Sequence, residues 1–227
     1  MTMPAATGYI VRTGVERATL VRRTYSLVLG GVVVTMLGVA FAMAQPPLME
    51  AVAAHPFIGF LVCLVLPMWL AQRAHRQFPQ NVALTLVGTF ATGVYLSPVI
   101  FVYNRMQPGI VGQAAMLTFT TFGALTVYAT FSRRDFSAWG GFFTVGLWVL
   151  IATSVLNLFF RNGSASLWIA AGTVGVFGGL LVFDTWRIVR TNQYSEDDYV
   201  PAAIAIYLDL LNMFLAILRL LGGNRRN

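Results

Sequence analysis

Seven long apolar runs separated by short polar gaps constrain the fold of this chain most strongly. The runs are Thr24–Ala44, Pro56–Gln72, Val82–Tyr103, Ile110–Phe131, Trp139–Phe160, Leu167–Val189 and Pro201–Leu221. Each is close to the ~17–25 residues that a membrane-spanning helix requires, whereas strands of a membrane barrel are only ~9–11 residues long. Charged residues make up 10% of the chain, compared with ~25% in soluble domains. The sequence therefore predicts an all-α polytopic membrane protein with seven transmembrane helices.

The arginines predict how these helices are oriented. All fifteen basic residues are arginine. Fourteen lie outside the apolar cores of the runs, which is typical of membrane topology and anionic lipid headgroups rather than of nucleic-acid binding, and Arg219 lies within the last run. Of the fourteen, ten lie on one side of the predicted topology and four on the other. The ten are Arg12, Arg17, Arg22, Arg23, Arg73, Arg76, Arg133, Arg134, Arg187 and Arg190, and the four are Arg105, Arg161, Arg225 and Arg226. Basic loops stay in the cytoplasm, so the N-terminus is expected there.

This topology divides the chain into three parts. Residues 1–23 form a cytoplasmic tail, residues 24–222 the transmembrane domain, and residues 223–227 a short C-terminal tail. Seven spans place the C-terminus outside, whereas the basic tail favours the inside, and a re-entrant last segment would reverse its position. Small residues mark the expected helix contacts, namely Gly175 and Gly179 in span six, and Gly88 and Gly93 in span three.

The last apolar run carries polar residues that lipid does not tolerate. Asp209 lies near its middle, followed by Asn212, Ala216 and Arg219 at helical spacing on one face. A carboxylate at that depth costs at least ~2.5–3.5 kcal/mol on insertion scales. This helix is therefore expected to be buried inside a bundle, with its polar stripe facing protein or water.

A second carboxylate, Asp184, lies in span six at a similar depth. With a rise of ~1.5 Å per residue, Asp184 lies ~8 Å and Asp209 ~12 Å from the cytoplasmic ends of their spans. Two carboxylates that meet inside a bundle tend to share a proton, which makes them responsive to pH. The alternative is that each acid is neutralised separately, Asp184 by Arg187 and Asp209 by Arg219.

Motifs of the common enzyme classes are missing from the sequence. It has no P-loop, no G-x-S-x-G and no H-E-x-x-H motif, and two histidines and one cysteine are too few for a dense metal site. An intramembrane aspartyl protease would use two aspartates on adjacent helices. That class carries a GxGD motif, which neither LLVFD nor IYLD matches. We expect no enzymatic activity, no cofactor and no bound metal.

Several segments together resemble the Bax inhibitor-1 family of membrane proteins. They are VFDTWRIV (Val182–Val189), DDYVPAAIAIYLDLLNMFLAILRLLG (Asp197–Gly222), ATGVYLSP (Ala91–Pro98), and Arg133–Arg134 followed by Trp139-Gly140-Gly141. The similarity extends from about Thr24 to the end and is most specific in the last third. The stretch RATLVRRTYSLV is similar to the bacterial inner-membrane branch, which interacts with a membrane-anchored AAA protease.

The resemblance implies a fold and a function. The fold is six helices packed around a central C-terminal helix. The function is a pH-sensitive leak of cations, with Ca²⁺ as the transported ion, gated by Asp184 and Asp209 and latched by an arginine of the second helix. Arg73 matches that latch, although His75 and Arg76 compete for the position. Span two carries no acidic residue, unlike some leak-competent members, which leaves open a non-conducting modulator of the protease or of a stress response. A proton-coupled transporter of small solutes is a third alternative.

The predicted topology can be tested with reporter fusions. A reporter fused at Asn162 should lie outside the cytoplasm, and one fused at Gln193 should lie inside, because the arginine asymmetry sets the orientation. Paired alkaline phosphatase and fluorescent-protein fusions at both sites measure this directly. Reversed activities would show that the orientation is wrong.

Overall fold

The structure, a computed structural model, describes residues 14–160 and 162–223. Within these ranges the chain forms eight helices and no strand: α1 (Gly14–Met43), α2 (Pro46–Ala54), α3 (Pro56–Arg73), α4 (Gln80–Met106), α5 (Ile110–Phe131), α6 (Ser137–Phe160), α7 (Gly163–Arg190) and α8 (Tyr199–Gly223). Helix α3 contains one π-helical turn, Leu61–Val65. Seven of the eight helices are long and apolar enough to cross a membrane. The seven helices predicted from the apolar runs are therefore confirmed.

The first helix is longer than predicted. Helix α1 begins at Gly14, ten residues before the predicted start at Thr24. The sequence between these points is polar and basic, but Leu20 is fully buried in the main hydrophobic core. Part of the predicted N-terminal tail is therefore helical. Four arginines used for the topology lie outside the described residues, namely Arg12, Arg161, Arg225 and Arg226, as do residues 1–13 and 224–227 of the predicted tails.

The C-terminal helix α8 forms the centre of the main core. Fourteen of its residues are buried, and it packs against α1, α3, α4, α5 and α7. Helix α6 packs against α7 alone among the described helices and does not reach α8. Its large side chains, such as Phe142 and Trp148, are exposed, as suits a surface that faces lipid. The expected arrangement of six helices around α8 is therefore not confirmed.

Helices α1 and α4 approach each other closely at two glycines. A Cβ atom added to Gly38 would overlap the backbone carbonyl of Phe90, and one added to Gly93 would overlap that of Thr35. Of the other predicted contact glycines, Gly88 faces Pro67 and Gly179 faces the ring of Phe143. A Cβ at Gly175 would meet no atom within 4 Å, so this half of the GxxxG pair makes no close helix contact within the described residues.

Replacing Gly93 by alanine should lower the thermal stability of the detergent-solubilised protein. The added methyl group would overlap the backbone of α1, and overpacking of this kind costs ~1–3 kcal/mol. Gly123→Ala in α5 is the matched control, because a Cβ there meets nothing within 4 Å. The midpoint of thermal unfolding measures the difference. If Gly93→Ala and Gly123→Ala melted at the same temperature, the close crossing of α1 and α4 would be contradicted.

Candidate functional site

Asp184 and Asp209 lie on two helices that pack together and are joined by a short loop. Helices α7 and α8 form one of the most extensive helix contacts of the bundle. Asp184 is six residues before the end of α7 and Asp209 ten residues after the start of α8, or ~9 Å and ~15 Å along the two axes. Their carboxyl groups interact with each other across this contact. The structure therefore brings together the two acids that the sequence singled out.

Asp209 is the more deeply buried of the two acids. Only 5% of the residue is exposed, and its Oδ2 atom has no hydrogen-bond partner among the residues that the structure describes. Burying an ionised carboxylate without partners is very unfavourable. This oxygen is therefore available to a proton or a cation.

Arg187 supplies the positive charge at this site. Its Nη2 atom lies 3.0 Å from Oδ1 of Asp184, one turn away on the same helix, and it also donates to the hydroxyl group of Tyr194. The guanidinium lies 5.4 Å from the ring centre of Phe183 and 4.8 Å from that of Tyr194. These contacts hold Arg187 in place, so the site combines two carboxyl groups with one fixed cation.

Two hydrogen bonds between helices flank the acids, and the sequence did not reveal them. The hydroxyl group of Tyr25 in α1 lies 2.9 Å from Oγ1 of Thr185, the neighbour of Asp184. The hydroxyl group of Tyr207, two residues before Asp209, lies 2.7 Å from Oγ1 of Thr35. Helix α1 is thereby bonded to both acid-bearing helices. The only signal in the sequence is the presence of hydroxyl side chains within apolar runs.

The structure does not bring Arg73 to the aspartates. Arg73 is exposed, and its guanidinium lies 4.2 Å from the ring centre of Trp69, one turn earlier in α3. The competing residues pair elsewhere: Arg76 lies 3.3 Å and His75 3.7 Å from Oδ1 of Asp198. The predicted latch is thus not formed by Arg73, because its stacking on Trp69 directs the side chain along its own helix.

Asp198 forms a second ionic contact, between the α3–α4 loop and the α7–α8 loop. Burial alone would raise the pKa of this carboxyl group, but hydrogen bonds from Ser195 and the contact with Arg76 outweigh that effect and lower the pKa. A lowered pKa means that this carboxylate stays charged throughout the neutral range, and that its contribution to stability is lost only in acid. The charge of Asp198 is therefore constant at neutral pH.

The other predicted residues of α8 do not join the acidic pair. Asn212 donates its amide hydrogen to the carbonyl oxygen of Leu208 in its own helix. Arg219 is exposed and lies ten residues beyond Asp209, which is ~15 Å along the axis. The alternative in which Arg219 neutralises Asp209 is therefore excluded in this structure. Asp184, by contrast, does pair with Arg187.

Fold and site together define an integral membrane protein of seven long helices with a buried pair of carboxyl groups. Residues 17–226 match the family described as inhibitor of apoptosis-promoting Bax1. A BI1-like protein of Arabidopsis thaliana is 32% identical over 88% of this chain and 79% of the relative. An uncharacterised protein of Campylobacter jejuni is 30% identical over 91% of this chain and 89% of the relative. Bax inhibitor 1 of Schizosaccharomyces pombe is 29% identical over 93% and 79%. The chain belongs to the Bax inhibitor-1 family.

Substitution of Arg187 should destabilise the protein more than substitution of Arg73. Arg187→Gln leaves Asp184 without its cation, and breaking a buried pair costs ~3–5 kcal/mol; the partial exposure of Arg187 reduces this figure. Arg73→Gln removes an exposed cation–π contact of ~0.5–1 kcal/mol. Thermal unfolding of both variants measures the difference. The deficit of Arg187→Gln should shrink in acid, because a protonated Asp184 needs no cation. Equal midpoints for the two variants at neutral pH would contradict the assignment of Arg187.

Proposed function

We propose that this protein is a pH-sensitive leak for cations, with Ca²⁺ as the transported ion, gated by the pair Asp184 and Asp209. The observation that carries the proposal is the Oδ2 atom of Asp209, which has no hydrogen-bond partner among the described residues and is buried beside a second carboxyl group that already has a cation. Buried polar atoms in folded proteins nearly always have a hydrogen-bond partner, so a buried carboxylate oxygen without one requires an explanation. Ionisable groups inside membrane proteins usually mark ion or proton pathways, which favours this function.

The charge balance of the site determines how it responds to pH. When Asp209 holds a proton, Asp184 and Arg187 neutralise each other and the site carries no net charge. Loss of that proton leaves two carboxylates and one guanidinium in a medium of low dielectric constant, where an extra charge is strongly disfavoured. Water or a cation must then enter, and the contact between α7 and α8 weakens. The leak should therefore increase as pH rises.

Conduction requires a movement of α8. A cavity of about 420 Å³ is lined by residues of α1, α4, α5 and α8, among them Thr35, Asn104 and Tyr207. Most of its lining is apolar, such as Leu210 and Phe214, and an apolar passage is a barrier to ions. Displacement of α8 after deprotonation of Asp209 would break the Tyr207–Thr35 bond and admit water. Carboxylate oxygens then offer Ca²⁺ the hard ligands that it prefers.

We further propose that the protein lies in a bacterial inner membrane with its N-terminus in the cytoplasm. In the described residues, Arg23, Arg76 and Arg190 all lie at the end of the bundle where α8 begins, since they contact Asp197, Asp198 and Thr130. A concentration of arginine at one end favours the cytoplasmic side.

A second candidate function is a non-conducting modulator of a membrane-bound AAA protease. Its specific support is the early start of α1, which extends the helix beyond the predicted span. Val15, Ala18 and Arg22 are exposed there and recur at helical spacing, so they form one face. Such a face could dock on a partner protein. A modulator function does not require two buried carboxyl groups in contact, and for this reason conduction is the primary proposal.

Ca²⁺ flux into liposomes that contain only this protein tests the proposal. Flux should rise between about pH 6 and 8, a range that an unperturbed aspartate, near ~3.9, would not sense. Asp184→Asn and Asp209→Asn should each flatten this profile, and the double variant should be no flatter than either, because the two groups act as a unit. Glu50→Gln, which changes an exposed carboxylate in α2, is the control and should retain the profile.

Two outcomes would contradict the proposal in different ways. If both asparagine variants kept the wild-type pH profile, the gating role of the pair would be wrong. If the wild-type protein carried no Ca²⁺ at any pH, conduction itself would be wrong. The modulator function would then take its place, with Val15→Glu expected to weaken co-purification with the protease.

A further inference from the structure

A second cavity, of about 550 Å³, lies at the end of the bundle where α8 begins. It is bounded by α1, the α3–α4 loop, α4 and the first residue of α8. Two guanidinium groups, those of Arg23 and Arg76, lie along its lining together with the apolar side chains of Leu27 and Leu86. The cavity therefore combines positive charge with an apolar wall, and none of the proposed steps of conduction uses it.

This combination matches the chemistry of a phospholipid. Basic pockets between transmembrane helices bind anionic headgroups, and guanidinium groups form paired hydrogen bonds with phosphate oxygens. Phe78 also lines the cavity and is 77% exposed, so it adds an exposed apolar surface to the lining. We propose that this cavity binds the phosphate group of an anionic phospholipid through Arg23 and Arg76, with an acyl chain along Leu27 and Leu86.

The acidic residues at the cavity do not prevent such binding. Arg23 pairs with Asp197 at 3.7 Å, and the two side chains are 46% and 68% exposed, so this ion pair is weak and easily exchanged. Arg76 is 67% exposed where it contacts Asp198. Asp198 also accepts hydrogen bonds from the backbone and side chain of Ser195, so it keeps partners when Arg76 turns away. Both guanidinium groups are thus free to engage a phosphate.

One polar group of the cavity lining belongs to Tyr199, the first residue of α8. The hydroxyl group of Tyr199 accepts a hydrogen bond from the amide of Asn81 at 3.0 Å, which leaves its own O–H able to donate. The guanidinium of Arg23 lies 5.7 Å from the centre of the Tyr199 ring. A bound lipid would therefore contact the helix that carries Asp209. The lipid site itself does not depend on the proposed conduction.

Native mass spectrometry of the full chain in a neutral detergent tests this site. Dioleoyl phosphatidylglycerol should bind at lower concentration than phosphatidylcholine with the same acyl chains. The variant Arg23→Gln/Arg76→Gln should weaken phosphatidylglycerol binding about fivefold for each arginine removed and leave phosphatidylcholine binding unchanged. The matched control is Arg133→Gln/Arg134→Gln, which removes two exposed arginines of the α5–α6 loop and should retain wild-type binding.

Two further measurements distinguish binding of a lipid from binding of a free anion. Leu86→Gln should weaken phosphatidylglycerol binding without a change in charge, because it alters only the wall along the acyl chain. Inorganic phosphate alone should not raise the thermal unfolding midpoint of the wild type, whereas phosphatidylglycerol should. Equal losses in the two double-arginine variants would overturn the site. A stabilisation by inorganic phosphate as large as that by the lipid would overturn the lipid assignment. Unfolding midpoints without lipid confirm that each variant is folded.

Discussion

The imbalance between two carboxyl groups, of which Asp209 is buried, and the single, partly exposed guanidinium of Arg187 governs the interior of this protein. Asp184 has Arg187 as its partner, whereas Oδ2 of Asp209 has none among the described residues. A membrane interior offers no bulk water to solvate the second charge. In the proposed mechanism, this missing partner makes the packing of α7 against α8 depend on whether a proton is present, and the gate is placed at that contact.

Around this site the bundle is unevenly connected. Helices α1 and α4 cross at Gly38 and Gly93 with their backbones in direct contact, which allows little relative movement. Helix α8 is joined to α1 through the hydroxyl groups of Tyr207 and Thr35 and to α4 through Asn81 and Tyr199. The backbone contact of α1 with α4 forms a fixed frame, and the contact of α7 with α8, which carries both acids, is the candidate moving element. In the proposed mechanism, α1 and α4 remain in place while α8 moves.

Some contacts of the site residues could be predicted from the sequence, and others could not. Depth along a helix follows from residue count, so the similar levels of Asp184 and Asp209 could be predicted. Arg187 could be recognised as a partner of Asp184 because a spacing of three residues places both on one face. Arg73 could not be placed in this way. A long side chain at the end of a helix can extend toward lipid, protein or water, and three basic residues lie within Arg73–Arg76. Only the structure shows that Arg73 stacks on the ring of Trp69 and that Arg76 forms an ion pair with Asp198.

The sequence alone determined the seven membrane spans, because bilayer thickness dictates how many consecutive apolar residues a helix needs. It also determined which two acids lie at similar depth. The tertiary structure decided the rotation and neighbours of each helix: the peripheral position of α6, the burial of Leu20 in an extended α1, and the bonds of Tyr25 and Tyr207. These could not be read from hydropathy, because lipid tails are as apolar as the protein core. A side chain such as Leu or Phe therefore suits either surroundings, and only packing between helices distinguishes an inward face from an outward one.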